Sequence, residues 1–201
     1  MLIKAIPIYN FLNYCNNSKL EKKVLDCGAG GKIPPLYIFA KSGYETYGID
    51  IADNKIKKAE EFLKENALQV KIEKCDMRNL KFKDEEFSFI YSYNSIFHMR
   101  KDEIKMVINN MKRILKKDGL CYINFLSKDD CRFGDGTKVS NSEFLQAEDD
   151  EMVMHSYFED TEGESYFGGF EIVYKEKRII KKFIDNEKYV LSYIDYILKK
   201  I

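Results

Sequence analysis

Histidine is scarce in this chain, with His98 and His155 the only two among 201 residues. Cysteine is present but unpatterned. Cys15, Cys27, Cys75, Cys121 and Cys131 are odd in number, and no two stand in CxxC spacing. That argues against a disulfide frame and predicts reduced thiols. Cys27 and Cys121 lie within apolar runs and read as small buried hydrophobes. No His/Cys/Asp cluster carries metal-ligand spacing, so no metal is expected. Net charge is also missing: Lys+Arg and Asp+Glu number 33 each, which removes the electrostatic pull toward nucleic acid or an anionic membrane. No apolar run approaches the ~18 residues of a membrane span, and Met1–Pro7 is too short a run for a signal peptide. A soluble, cytoplasmic protein is expected, with neither nucleic acid nor membrane as partner. No repeat or linker divides the sequence, and residues 1–201 are expected to form one domain. An apolar fraction of 45% with 14% aromatics excludes global disorder.

What is present begins with Val24-Leu25-Asp26-Cys27-Gly28-Ala29-Gly30-Gly31. An apolar run ends in a carboxylate, and a glycine-rich turn then lets the backbone pass close to a ligand. A second run, Tyr47-Gly48-Ile49-Asp50, ends 22 residues after Gly28. This spacing suits one βαβ unit whose second acid accepts hydrogen bonds from ribose hydroxyls. An adenosine-containing cofactor follows. A dinucleotide would bring its pyrophosphate to this turn, where Asp26 repels it, and would favour glycine where Ile33 stands. A sulfonium- and ammonium-bearing cofactor without phosphate, S-adenosylmethionine, fits better.

Strand and helix signals alternate along residues 23–126. Strands are expected at Lys23–Cys27, Glu45–Asp50, Val70–Lys74, Phe87–Tyr93 and Leu120–Leu126, the last entered through an Asp118-Gly119 turn. Helices are expected after Pro34-Pro35 through Lys41, from an Asp53 N-cap through Leu63, and over Glu103–Lys117, where Ile104, Val107, Ile108, Met111, Ile114 and Leu115 form one apolar face. Crossover helices between strands imply an open, mostly parallel sheet. Ser127–Asp150 is polar and reads as a solvated lid or a plain surface loop. Phe170–Tyr174, Arg178–Ile184 and Tyr189–Leu198 are β-like, the last two joined by a turn at Asp185-Asn186 into an antiparallel edge hairpin.

These motifs together resemble the class I S-adenosylmethionine-dependent methyltransferases from Val24 through Leu126, and more loosely beyond. The resemblance implies an α/β fold: a Rossmann-like three-layer sandwich with a seven-stranded, mostly parallel sheet and an antiparallel C-terminal edge hairpin. Asp26-Cys27-Gly28-Ala29-Gly30 is similar to the family's first motif, although Lys32 stands where many members have a third glycine. Ile49-Asp50-Ile51 is similar to the second, with Asp50 on the ribose and Ile51 on adenine. Cys75-Asp76-Met77 is similar to the third, with Asp76 toward the adenine amino group. The run Phe87–Met99 resembles the fourth strand and its cofactor-lining turn, and makes Asn94 a candidate for cofactor or substrate contact. The implied cofactor residues are Asp26, Gly28, Ala29, Gly30, Asp50, Ile51, Asp76, Met77 and Asn94.

Phe133-Gly134-Asp135-Gly136-Thr137 with His155-Ser156-Tyr157-Phe158 resembles small bacterial methyltransferases related to the tellurite-resistance type. There, residues 127–158 would be an insert between strands five and six that caps the transferable methyl. Tyr9, His98, Arg132, Phe133 and His155 are the candidate substrate residues, with Tyr157 and Phe158 beside them and Tyr14 as a second N-terminal lid residue; core packing is an equal reading for both tyrosines. Methyl transfer needs positioning above all, and a base only if the nucleophile arrives protonated. Either histidine could supply that base, and no residue is assigned as catalytic. The expected activity is methyl transfer to a small molecule by a monomer or homodimer. An RNA or protein methyltransferase, a dinucleotide oxidoreductase and a non-catalytic cofactor-binding protein are the alternatives.

Overall fold

The computed structural model describes residues 6–68, 70–148, 151–185 and 187–201. Its elements run α1 (Ile6–Asn16), β1 (Lys23–Cys27), α2 (Leu36–Lys41), β2 (Glu45–Asp50), α3 (Asp53–Glu65), β3 (Lys71–Lys74), β4 (Phe87–Ser92), α4 (Lys101–Ile114) and β5 (Leu115–Ser127). Then follow β6 (Thr137–Ser140), β7 (Glu143–Glu148), β8 (Glu151–Phe158), β9 (Phe170–Ile184) and β10 (Glu187–Lys200). The sheet order is β3-β2-β1-β4-β5, with parallel pairing throughout this part. The strand order reverses direction at β1/β4, the switch point outside whose carboxyl ends open α/β sheets bind ligands.

Alternating side chains divide the core between two faces. Val24, Phe89 and Tyr91 pack with Ile8, Phe11 and Leu12 of α1, Phe39 of α2 and Ala59 of α3. Leu25, Cys27 and Ile90 pack with Ile104, Val107, Ile108 and Met111 of α4. The apolar stripe of α4 is thus buried along one flank of the sheet, and three helices cover the other. Three layers result. α3 has Ala52 rather than Asp53 at its N-cap, and Asp53 occupies the first turn, where its charge suits the helix dipole. Asp118, with φ +62°, lies in an irregularity of β5, which begins at Leu115; the pairing jumps from Phe87↔Leu115 to Phe89↔Leu120. The expected turn is therefore a kink inside a longer strand.

Among the described residues the sheet holds ten strands, not seven. Beyond β5 it forks. β10 pairs antiparallel with β5 from Lys199↔Leu120 to Tyr193↔Leu126, and β9 pairs with β10. β9 is one strand where two short ones were expected. On the other flank β8 takes up the parallel pairings Leu126↔Tyr157 and Ser127↔Phe158, past the point where β4 ends at Ser92. β8 carries β7 and β6 as an antiparallel meander. The segment Ser127–Asp150 is thus not all loop: Phe144 joins Phe97, Leu126 and Tyr157 in a small core of its own. The expected hairpin turn falls partly on Asn186, outside the described residues; β9 and β10 do pair from Ile184↔Glu187 onward. No described helix is long and apolar enough to cross a membrane.

Candidate functional site

A cavity of about 290 Å³ opens at the carboxyl ends of β1 to β4. Gly28, Ile49, Asp50 and Ile51 line one side, and Cys75, Asp76, Met77 and Arg78 another. Ser95, His98, Met99, Arg100, Glu103 and Met154 complete it. The glycine turn is shaped by two specific needs. Gly28 sits at φ +107°, and a Cβ there would lie 2.3 Å from Ser95 Oγ. A Cβ on Gly30 would lie 2.5 Å from Asp50 Oδ2, the oxygen that accepts the Gly30 N–H at 2.9 Å. Asp50 Oδ1 accepts the Ala52 N–H at 2.9 Å. One carboxylate therefore joins the end of β2 to the turn after β1 and faces the cavity. At the far end Arg78 forks onto Asp76 and reaches Glu103 at 2.6 Å, while Glu103 accepts the Arg100 N–H at the start of α4. Three carboxylates (Asp50, Asp76, Glu103) against two guanidinium groups leave the wall net acidic. That suits a cation-bearing adenosine ligand and opposes a pyrophosphate.

Gly28, Asp50, Ile51, Asp76 and Met77 thus all line this cavity. Ala29 and Gly30 shape the turn without lining the cavity, the Ala29 N–H being donated to the Ile49 carbonyl. Asp26 does not line it either. It is buried and accepts the Tyr91 hydroxyl at 2.7 Å. Burial pushes its carboxyl up to about 8, against the Tyr91 hydrogen bond, with Asp50 adding repulsion. Tyr9 and Tyr14 are not brought to the site. Ile8, Phe11, Leu12 and Cys15 turn into the core, so Tyr9 projects outward, and Tyr14 packs beside Tyr174.

A second cavity of about 190 Å³ adjoins the first, and His98 is a wall of both. Asn94, Phe97, Leu126, Asp130 and Arg132 line it, with Glu148, His155, Tyr157, Leu191 and Tyr193. Asn94 belongs here rather than to the first cavity. It holds φ +53° and is fixed by Asn124, whose amide donates to Asn94 Oδ1 at 2.7 Å and whose Oδ1 accepts the Asn94 N–H at 2.8 Å. β8 is the partition. Met154 faces the cofactor side and His155 the other, as successive strand residues must. The Ser156 N–H donates to the Phe97 carbonyl at 3.0 Å and its hydroxyl to the Met99 carbonyl at 2.7 Å, locking β8 to the turn that carries His98. Phe133 lies outside the lining and packs edge-on against Phe144 and Tyr157. Phe158 is core, stacked on Phe125 at 4.2 Å.

His98 is held neutral, its imidazole lowered to about 4 chiefly by burial. Glu148 is held ionised, lowered to about 2 by its hydrogen bond with His155 at 2.9 Å. Sequence reasoning missed Ser95, Arg78, Glu103, Glu148, Met154 and Tyr193. Ser95, inside the Phe87–Met99 run, Arg78, directly after Met77, and Glu103, at the start of the expected helix, carried a local signal; the others did not.

Residues 25–123 match the family described as a methyltransferase domain. Phosphoethanolamine N-methyltransferase of Plasmodium falciparum is 28% identical over 137 residues, covering 60% of this chain. The chain spans about half of that relative's length, 51%. Among solved structures, a S-adenosylmethionine-dependent methyltransferase of Methanosarcina mazei superposes with a TM-score of 0.76 at 20% identity, over 94% of this chain and 97% of the other. TehB of Haemophilus influenzae superposes with 0.69 at 16% identity, over 96% and 62%.

Proposed function

We propose that this chain, whose residues 25–123 match a methyltransferase domain, is a class I S-adenosylmethionine-dependent methyltransferase, and that its methyl acceptor is a small molecule held in the second cavity. The observation that carries this reading is the shared wall at His98, which sets a polar and aromatic chamber of about 190 Å³ directly beside the cofactor cavity. The cradle at Gly28, which a Cβ would fill, and the Asp50 carboxylate fit the cofactor. When bound, S-adenosylmethionine supplies an electrophilic methyl on a good leaving group. Asp50 would hold the ribose hydroxyls through lone pairs left free by Gly30 and Ala52, Ile51 and Met77 would flank adenine, and Asp76 would face its amino group beside Arg78.

The remaining work is alignment and exclusion of water. Phe97, Tyr157 and Tyr193 supply apolar walls, and Arg132 and Asp130 supply charge for orientation. An acceptor that arrives protonated meets a neutral imidazole at His98 and an ionised carboxylate at Glu148, either able to take its proton. The relative named for phosphoethanolamine supports a small acceptor, as does the balanced overall charge. Residues 127–158 act as the cover of this chamber within one domain.

The test is S-adenosylhomocysteine production across a panel of small amines, phenols, thiols and carboxylates, run in parallel with bulk RNA and denatured protein. Turnover of a small acceptor, with Arg132→Ala raising its KM about 10-fold and leaving S-adenosylhomocysteine affinity unchanged, supports the reading. Turnover of RNA or protein alone overturns it.

A further inference from the structure

The second cavity holds a cluster that methyl positioning does not explain. His98 comes from the turn after β4, Glu148 from the end of β7 and His155 from β8. One ring nitrogen of each histidine and one Glu148 oxygen lie within 4.8 Å of one another. His155 Nδ1 faces the Val153 carbonyl at 3.2 Å, and its Nε2 faces Glu148 Oε1 at 2.9 Å. A neutral imidazole has one N–H. With that hydrogen donated to the carbonyl, Nε2 turns a lone pair toward a carboxylate, and a positive species must lie between them. His98 Nδ1 is buried and has no hydrogen-bond partner.

We propose that His98, Glu148 and His155 form a site for one divalent transition-metal ion of the zinc or cobalt class, at the junction of the two cavities. Two imidazoles and a carboxylate suit such ions, and three protein ligands leave positions open, as catalytic sites require. An ion bonded at ~2.0–2.2 Å places neighbouring ligand atoms about 3 Å apart, which the Nε2–Oε1 pair already satisfies. The Val153 carbonyl fixes the His155 tautomer as an outer partner of a metal ligand does. Arg132 Nη1 stands 3.7 Å from Glu148 Oε1 but is tethered by its Nη2 to the Ala147 carbonyl. Its charge weakens cation binding and sets the expected affinity in the micromolar range rather than tighter.

The ion's role in transfer rests on the acceptor reading above; its binding does not. With the ion bound, His98 and Glu148 would be ligands and no longer bases: an acceptor hydroxyl or thiol at an open position would lose its proton to solvent, keep the X–H bonding pair on oxygen or sulfur, and bond the methyl carbon as that carbon's bond to the cofactor sulfur breaks. The acceptor class is thereby narrowed to oxygen or sulfur nucleophiles.

Chelator-treated protein is titrated with cobalt(II) and followed by its visible spectrum, with S-adenosylhomocysteine affinity measured separately by calorimetry. One cobalt per chain at micromolar affinity, weakened about 10-fold or more by Glu148→Gln, is expected. Glu148 is part-exposed and does not line the cofactor cavity, so this variant is expected to keep its fold and its S-adenosylhomocysteine affinity. His98→Asn provides the second variant, with the same loss of cobalt. No cobalt binding leaves only an imidazolium–carboxylate pair and overturns the proposal. So does binding that Glu148→Gln leaves unchanged, or a sulfur-to-cobalt band that places the ion on exposed Cys131. Failure of the wild type to bind S-adenosylhomocysteine would instead strike the methyltransferase reading, and cobalt stoichiometry would still be measurable.

Discussion

The cofactor cavity takes most of its walls from the carboxyl ends of β1, β2, β3 and β4, each a short step from the last along the chain. The second cavity, the proposed acceptor chamber, draws on residues 94–98, 126–132, 148, 155–157 and 191–193, brought together by a meander and by β10. The first is a property of the sheet's switch point. The second is assembled from pieces that only tertiary pairing can align. A fold of this kind can keep one cofactor geometry while the neighbouring chamber changes with its insert.

Substitutions separate the two. Asp50→Ala removes the acceptor of two backbone N–H groups as well as the proposed ribose ligand. S-adenosylhomocysteine affinity should fall about 100-fold, the size of two or three kcal/mol of charge-assisted hydrogen bonding; calorimetry showing less than a 3-fold loss would remove Asp50 from the site. Gly28→Ala combines a positive φ with a Cβ 2.3 Å from Ser95 Oγ. It should cost about 1–3 kcal/mol of stability, read by urea denaturation, and weaken cofactor binding while sparing the meander. Tyr157→Phe removes the hydroxyl that donates to Gln146 Oε1 at 2.9 Å and should raise the acceptor KM by a few-fold. A matching change in S-adenosylhomocysteine affinity would mean the chambers are not separable.

A separate prediction concerns pH. Asp26 is raised to about 8 in the folded chain, so the folded state holds a proton that the unfolded state releases near the usual carboxylate range. Stability therefore falls as pH rises from about 4 to about 8. Asp26→Asn, which mimics the protonated form, should flatten that slope in denaturation curves collected across the window. A slope equal to the wild type's would mean that Asp26 is ionised when folded.

Legibility followed the same division. Asp50 and the glycine turn were readable because a βαβ unit fixes the distance between them in sequence, and Asp76 and Met77 because they follow the next strand end. Asp26 was readable as a carboxylate at a strand end but not as one turned beneath Tyr91, since its neighbour comes from β4. Tyr9 was misplaced because a helix presents only one face to the core, and Phe11 with Ile8 claims it. His155 could be picked out by rarity alone. Its partners His98 and Glu148 could not be joined to it, because the meander pairing that aligns them is invisible in local spacing. The extra strands escaped for a similar reason: Thr137–Ser140 and Glu143–Glu148 are largely polar, and beside Phe144 the residues they bury are the polar Glu143 and Gln146, which carry no hydrophobic signal.

The β9–β10 hairpin also orders the events of folding. Its two strands meet through neighbours in sequence, beginning at Ile184↔Glu187, whereas β10 meets β5 across 67 to 79 residues. A hairpin forms in ~1–10 μs, long before the entropy of so large a loop is overcome. This predicts that the ribbon forms first and that its docking through Ile194 and Tyr196 onto Phe125 and Ile123 is the slow step. Changes at those buried positions will therefore register in the folding rate, and changes at the far end of the ribbon will not.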